Sequence, residues 1–186
     1  MKAPPQDALD LPALIGERAR NLFLSRQMYC SESVLVVLNQ ALGGGLKENQ
    51  ALAMAGPFAE GIGKSGCLCG ALAGALLGVG LLLAQSNPIG RRKSVHAVSD
   101  QLIKRFKLIF GASCCRIISR KNSFKADSSF DRCALQTTEA AAMAAALILE
   151  HRPELRHCAD LTFLNARDSV IGGFCINALR RTGCRS

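Results

Sequence analysis

Two cysteines, Cys67 and Cys69, open the segment Cys67-Leu68-Cys69-Gly70-Ala71-Leu72-Ala73-Gly74, in a chain of 186 residues that holds nine cysteines. Deprotonated cysteine sulfur ligates soft metals and attacks disulfides, so this density of thiols points to sulfur chemistry. Other side chains offer less. His96, His151 and His157 fall on or near polar helix faces and read as surface groups. The acidic residues show no pairing suited to acid–base catalysis. Gly61-Ile62-Gly63-Lys64-Ser65 lacks the first glycine of a phosphate-binding loop and has no strand before it. No Cys-x-x-Cys-His occurs, so covalently held haem is not implied.

The thiols must be positioned by the rest of the chain, and its composition indicates how. Hydrophobic residues make up 49% and charged residues 20%, the balance of a folded domain, while Trp is absent and Tyr occurs once. A core of Leu, Ile, Val, Ala and Phe favours close-packed helices over sheet, so the expected fold is all-α, a compact helical bundle. Leu9 to Met28 reads as a first helix, and Ser31 or Ser33 could cap a second that runs to Leu42 before Gly43-Gly44-Gly45. Lys47 to Glu60 is a third, interrupted by Pro57.

The loop Gly61 to Gly66 then delivers Cys67 and Cys69 to a central, glycine-rich buried helix ended by Asn87-Pro88. Gly70, Gly74 and Gly78 would form a stripe on it where another backbone approaches closely. Val95, Val98, Leu102, Phe106 and Ile109 mark an amphipathic helix stopped by Gly111. Cys114-Cys115 follow. A polar loop leads to Cys133 at the head of an alanine-rich helix, Ala134 to His151, closed by Pro153. We expect residues 1–155 to form a cysteine-rich helical redox domain and 156–186 a helical extension.

Charge is uneven. Residues 1–90 carry six Lys/Arg against six Asp/Glu, and residues 91–186 seventeen against eight, so the net charge of +9 lies in the second half. Arg91-Arg92-Lys93, Lys104, Arg105, Lys107, Arg116, Arg120-Lys121, Lys125 and Arg180-Arg181 form a solvated face, or steer an anionic partner, or offset thiolate charge. Zinc-finger spacing, RNA-binding aromatics and heptads with a basic region are absent, which argues against nucleic acid. Met1 to Asp7 has no apolar segment, and an odd number of cysteines cannot pair fully within one chain; the expected compartment is the reducing cytoplasm. Gly66 to Gln85 carries no charge and approaches the length of a membrane span. It is solitary, mid-chain and opened by two thiols, so a soluble bundle is preferred, and the glycine stripe with the small size of the chain suits a homodimer.

Cys30, Cys67 or Cys69, Cys114 or Cys115, and Cys133 all stand near expected helix starts. Amide N–H groups and the positive dipole end there favour thiolates, so four helix starts meeting at one point would gather four metal-binding sulfurs. The alternative is that these are ordinary buried core cysteines.

The chain resembles the C-GCAxxG-C-C family of redox-active proteins, which share four cysteines. Cys69-Gly70-Ala71-Leu72-Ala73-Gly74 is similar to the signature, and Cys30-Ser31-Glu32-Ser33-Val34-Leu35 to the first cysteine and the helix after it. Phe110-Gly111 through Cys115-Arg116-Ile117 is similar to the third, and Cys133 to the fourth. The resemblance covers residues 20–150. Cys67 and Cys114 are extra neighbours that leave the third ligand open between Cys114 and Cys115, and Cys158, Cys175 and Cys184 have no counterpart.

The family is in turn similar to the cluster-bearing part of split-Soret cytochrome c. That resemblance implies an iron–sulfur cluster, of the two-iron kind, held by Cys30, Cys69, Cys115 and Cys133, with Cys67 and Cys114 as secondary candidates. The implied function is electron transfer to an unidentified redox partner, without substrate turnover. Two other readings stand beside it: thiol–disulfide chemistry at Cys67/Cys69 or Cys114/Cys115, with no cofactor, and a structural four-thiolate zinc site.

Overall fold

The structure is a computed structural model that describes residues 10–120 and 128–170. Cys175, Cys184, Lys121, Lys125 and Arg180-Arg181 lie outside the described residues. The described part is all helical. In chain order it contains α1 (Leu11–Leu24), α2 (Cys30–Ala41), α3 (Glu48–Ala55), α4 (Ala59–Ile62), α5 (Gly70–Ala84), α6 (Arg92–Phe110), α7 (Cys115–Arg120), α8 (Ser129–His151) and α9 (Leu161–Asn165). Short 3-10 turns cover Gly56–Phe58 and Pro153–Cys158. No strand occurs among the described residues, only an isolated antiparallel bridge between Leu68 and Cys114.

Helix ends follow local chemistry. Asp10 Oδ1 accepts from the Ala13 amide and Pro12 sits in the first turn of α1, while Ser128 Oγ accepts from the Asp131 amide at the start of α8. The start of α2 differs from the expected serine cap. Glu32 Oε2 accepts the Tyr29 amide at 2.7 Å, Ser31 Oγ donates to Ala55 O, and Ser33 Oγ donates back to Tyr29 O. The helix therefore begins at Cys30 itself. Several other helices are shorter than their apolar spans: α1 stops before Arg26, whose φ is 58°, and α3 stops before Pro57. The face of α6 closes on Phe110, and Ile109 is partly exposed.

Helix α5 is the centre of the bundle, packed against α2, α6 and α8, while α1 lies along α8 and α2. Its glycine stripe faces α2. A methyl on Gly70 would come within 2.5 Å of Cys30 Sγ and 2.9 Å of Phe58 O, one on Gly74 would overlap the backbone of Ser31, and one on Gly78 would meet Leu38 Cδ1 at 2.5 Å. The close-approach surface read from the sequence is thus filled inside the chain. Ile15, Leu35, Leu38, Leu72, Leu82, Leu147 and Ile148 are fully buried around it. No helix among the described residues is long and apolar enough to cross a membrane.

The segment after the 3-10 turn folds back onto α1. Arg18, buried, donates to Asp168 Oδ2 at 2.6 Å and to Ala166 O, and its guanidinium lies 4.8 Å from the centre of the Phe163 ring. Asn21 bonds both the amide and the carbonyl of Asp168.

Close packing of the stripe sets a contrast between two substitutions. Gly74→Ala should destabilise the chain by roughly 1–3 kcal/mol, because backbone cannot yield as a flexible side chain can. Gly80→Ala, with nothing within 4 Å, should be neutral or gain up to about 1 kcal/mol of helix propensity. Urea unfolding of both variants measures this, and equal losses at the two positions would contradict the packing argument.

Candidate metal centre

The four family-pattern cysteines come from four elements. Cys30 is the first residue of α2, Cys69 immediately precedes α5, Cys115 is the first residue of α7, and Cys133 lies one turn inside α8. Cys133 is therefore not at its helix start, since α8 begins at Ser129. The Leu68–Cys114 bridge fixes two of the four: the Cys69 amide donates to Ser113 O at 2.8 Å, the Cys115 amide to Cys67 O, and the Arg116 amide to Gly66 O.

A strained turn closes the same region. Glu60, Gly61, Ile62, Gly63 and Lys64 run consecutively in the left-handed region, with φ of 53°, 78°, 61°, 56° and 67°. Glu60, Ile62 and Lys64 pay a steric penalty there of order 1–3 kcal/mol each. Ser65 Oγ and the Cys67 amide both donate to Gly61 O, and the Gly63 amide donates to Pro57 O. Gly61 must be glycine, because a Cβ would stand 2.7 Å from Cys115 Cβ. The turn also directs the Glu60 amide at Cys30.

Burial governs the ionisation of all four thiols. It pushes Cys69 up to about 12, against the Leu72 and Ala71 amides that favour the thiolate, and negative charge on Cys30 and Cys115 adds to the rise. It pushes Cys133 up to about 11, with Cys30, Cys115 and Glu60 adding and Arg132 opposing. Cys30 is raised by burial, opposed by the Glu60 and Ser31 amides and reinforced by Cys115. Cys115 is raised by burial, then by Cys114 and Glu60. Helix-start amides thus act as expected at Cys30 and Cys69, with none at Cys115, but desolvation outweighs them, and the thiols hold their protons where the sequence suggested thiolates.

The four sulfurs are electrostatic neighbours. As they stand, no three Cys, His, Asp or Glu side chains among the described residues converge closely enough to hold a single metal ion. Gln136, three residues after Cys133 on α8 and 2% exposed, places Oε1 3.7 Å from Cys69 Sγ, while its Nε2 is buried without a partner. An all-sulfur donor set, amides aimed at Cys30 and Cys69, and an unused buried N–H donor on Gln136 beside Cys69 suit a thiolate-bound iron or zinc centre.

The remaining thiols point elsewhere. Cys67 is exposed, and Cys114 Sγ donates to Gly66 O at 3.1 Å. Cys158 is exposed and lies against Gly43, beyond the end of α2 opposite Cys30. His96, His151 and His157 are exposed. Sequence reasoning missed Gln136 and Glu60; a polar residue in register with Cys133 in an alanine-rich helix was the available sign for the first.

The family model described as "Putative redox-active protein (C_GCAxxG_C_C)" matches residues 28–147. No curated protein and no solved structure matches the chain.

The raised thiols make metal-free stability depend on pH in a defined sense. An unfolded cysteine releases its proton near its ordinary value of 9.0, whereas Cys133 and Cys69 hold theirs to about 11 and about 12. The folded chain therefore binds more protons between those values, so this contribution is complete below pH 9 and is lost as pH rises toward 12. Urea midpoints should fall between about pH 8 and about pH 10.5, and fall less in Cys69→Ala. The same fall in both chains would show that Cys69 ionises as an exposed thiol.

Proposed function

The chain belongs to the C_GCAxxG_C_C family of redox-active proteins, and on that premise we propose that Cys30, Cys69, Cys115 and Cys133 hold an iron–sulfur cluster of the two-iron kind. Its role is to pass electrons to and from a separate redox partner in the cytoplasm. What supports this reading is that four thiols from four elements influence one another electrostatically, with Cys30 and Cys115 each raising both Cys69 and Cys133, beside amides directed at Cys30 and Cys69. Each cysteine sulfur of a two-iron cluster binds one iron, two sulfurs to each metal, and the two irons are joined by inorganic sulfide.

A bound cluster of this kind supplies one-electron chemistry. The chain's own residues hold the ligand sulfurs in a dry setting and donate backbone N–H groups to them, from Glu60 and Ser31 toward Cys30 and from Leu72 and Ala71 toward Cys69. Those donors stabilise negative charge on sulfur and so favour the reduced state, while the Glu60 carboxylate opposes it at Cys115 and Cys133. A four-thiolate zinc site is the second reading, favoured by the same donor set. Thiol–disulfide chemistry between sequence neighbours is weaker, because Cys69 faces Gln136 and Cys114 faces the Gly66 carbonyl.

Protein purified without oxygen should be brown and contain iron and acid-labile sulfide in equal amounts. Cys69→Ser should lose both, and Cys158→Ser should keep them. A colourless chain with zinc and no sulfide would replace the cluster with the structural site, and equal metal retention in the two variants would refute the ligand assignment.

A further inference from the structure

We infer that Gln136 is a positioning residue for Cys69, turning its side-chain amide to donate a hydrogen bond to that sulfur once the sulfur is ligated. This rests on the metal-centre reading above. Both residues are 2% exposed, and no other side-chain hydrogen bond reaches the Cys69 sulfur among those described. Cys69 Sγ donates to Gln136 Oε1 at 3.7 Å, and Gln136 Nε2 is buried and unpaired.

Ligation reverses the requirement. A ligated sulfur has no hydrogen and offers only lone pairs, which a carbonyl oxygen repels. A half-turn of the planar amide exchanges oxygen and nitrogen at nearly the same positions, so the sulfur meets an N–H and the unpaired donor gains an acceptor. The pocket already contains the group that the metal-free state cannot use.

Placement on α8 supports the assignment. Gln136 follows Cys133 by three residues, so one helix face presents both a ligand and a donor to the same pocket. The buried residues that continue this helix, Ala140, Ala141, Ala144 and Ala145, are small and apolar. An amide among them is costly unless its hydrogen bonds are made. A donated N–H withdraws charge from the sulfur, favours the reduced centre and raises the reduction potential.

The test uses the full chain purified without oxygen, with Gln136→Leu and Gln136→Glu. Both variants should hold as much iron as the parent. The potential of Gln136→Leu should be lower and its sulfur-to-iron absorption bands should move to longer wavelength, while Gln136→Glu, whose buried carboxyl stays protonated beside the sulfurs and can donate an O–H, should stay closer to the parent. An unchanged potential in Gln136→Leu at full iron content would overturn the inference and leave the cluster standing. Loss of iron in both variants would overturn it too, by giving Gln136 a purely structural role. A parent chain without iron would sink the cluster reading alone. Cobalt(II) would then serve as the probe, with the sulfur-to-cobalt band expected to shift between parent and Gln136→Leu. No shift, or no cobalt bound, would end the inference.

Discussion

The approach of α2 to α5 is the contact on which the arrangement of the thiols depends. Gly70 makes room for the Cys30 sulfur and Gly74 for the backbone at Ser31, so the starts of the two helices lie side by side. Each glycine weakens an isolated helix by up to about 1 kcal/mol, and α5 keeps its form because buried leucines, valine and alanines on its other faces pack against α6 and α8. The glycines therefore couple two things that look separate in the sequence, a tight helix pair and a pair of neighbouring sulfurs.

A second constraint acts on the backbone rather than on packing. Cys69 and Cys115 are separated by α5 and α6 in sequence, and no helix-to-helix contact alone would fix their relative height. The single Leu68–Cys114 bridge does so, with the left-handed turn at Glu60 to Lys64 closing over it. A β-branched Ile62 in that conformation is a local loss with no local compensation. Its effect is to aim an amide at Cys30 and to leave space for Cys115 over Gly61. Strain at this one turn is concentrated beside Cys30 and Cys115.

Much of this was legible in the sequence, for reasons that can be named. The helices were read from apolar spacing and from Gly and Pro stops, and the stripe at Gly70, Gly74 and Gly78 announced a close backbone approach. Helix ends were less legible, because the α2 start is set by Glu32 reaching back to the Tyr29 amide rather than by a serine. Cys133 stood near a helix start only as long as Ser128 went unrecognised as the cap. No local pattern separates Cys114 from Cys115 as a ligand, and the bridge that pairs Leu68 with Cys114 is a long-range contact that the sequence does not encode locally. Thiol ionisation was misread for a further reason: the amides at a helix start are a local feature, whereas desolvation is a property of the finished fold.

The hydrophobic core and the thiol pocket differ in how far each is satisfied without a metal. Around α1, α2, α5 and α8 the buried side chains are aliphatic and fill one another's space. The pocket instead holds four thiols that resist ionisation, a glutamate that repels them and an amide donor with nothing to donate to. Each of these deficits has the same sign: each would be relieved by the proposed centre, whose positive charge would turn the thiols into ligands and give the donor an acceptor. If the proposed centre binds there, the loaded state would be the more stable one, by the free energy of binding to a site the unfolded chain lacks.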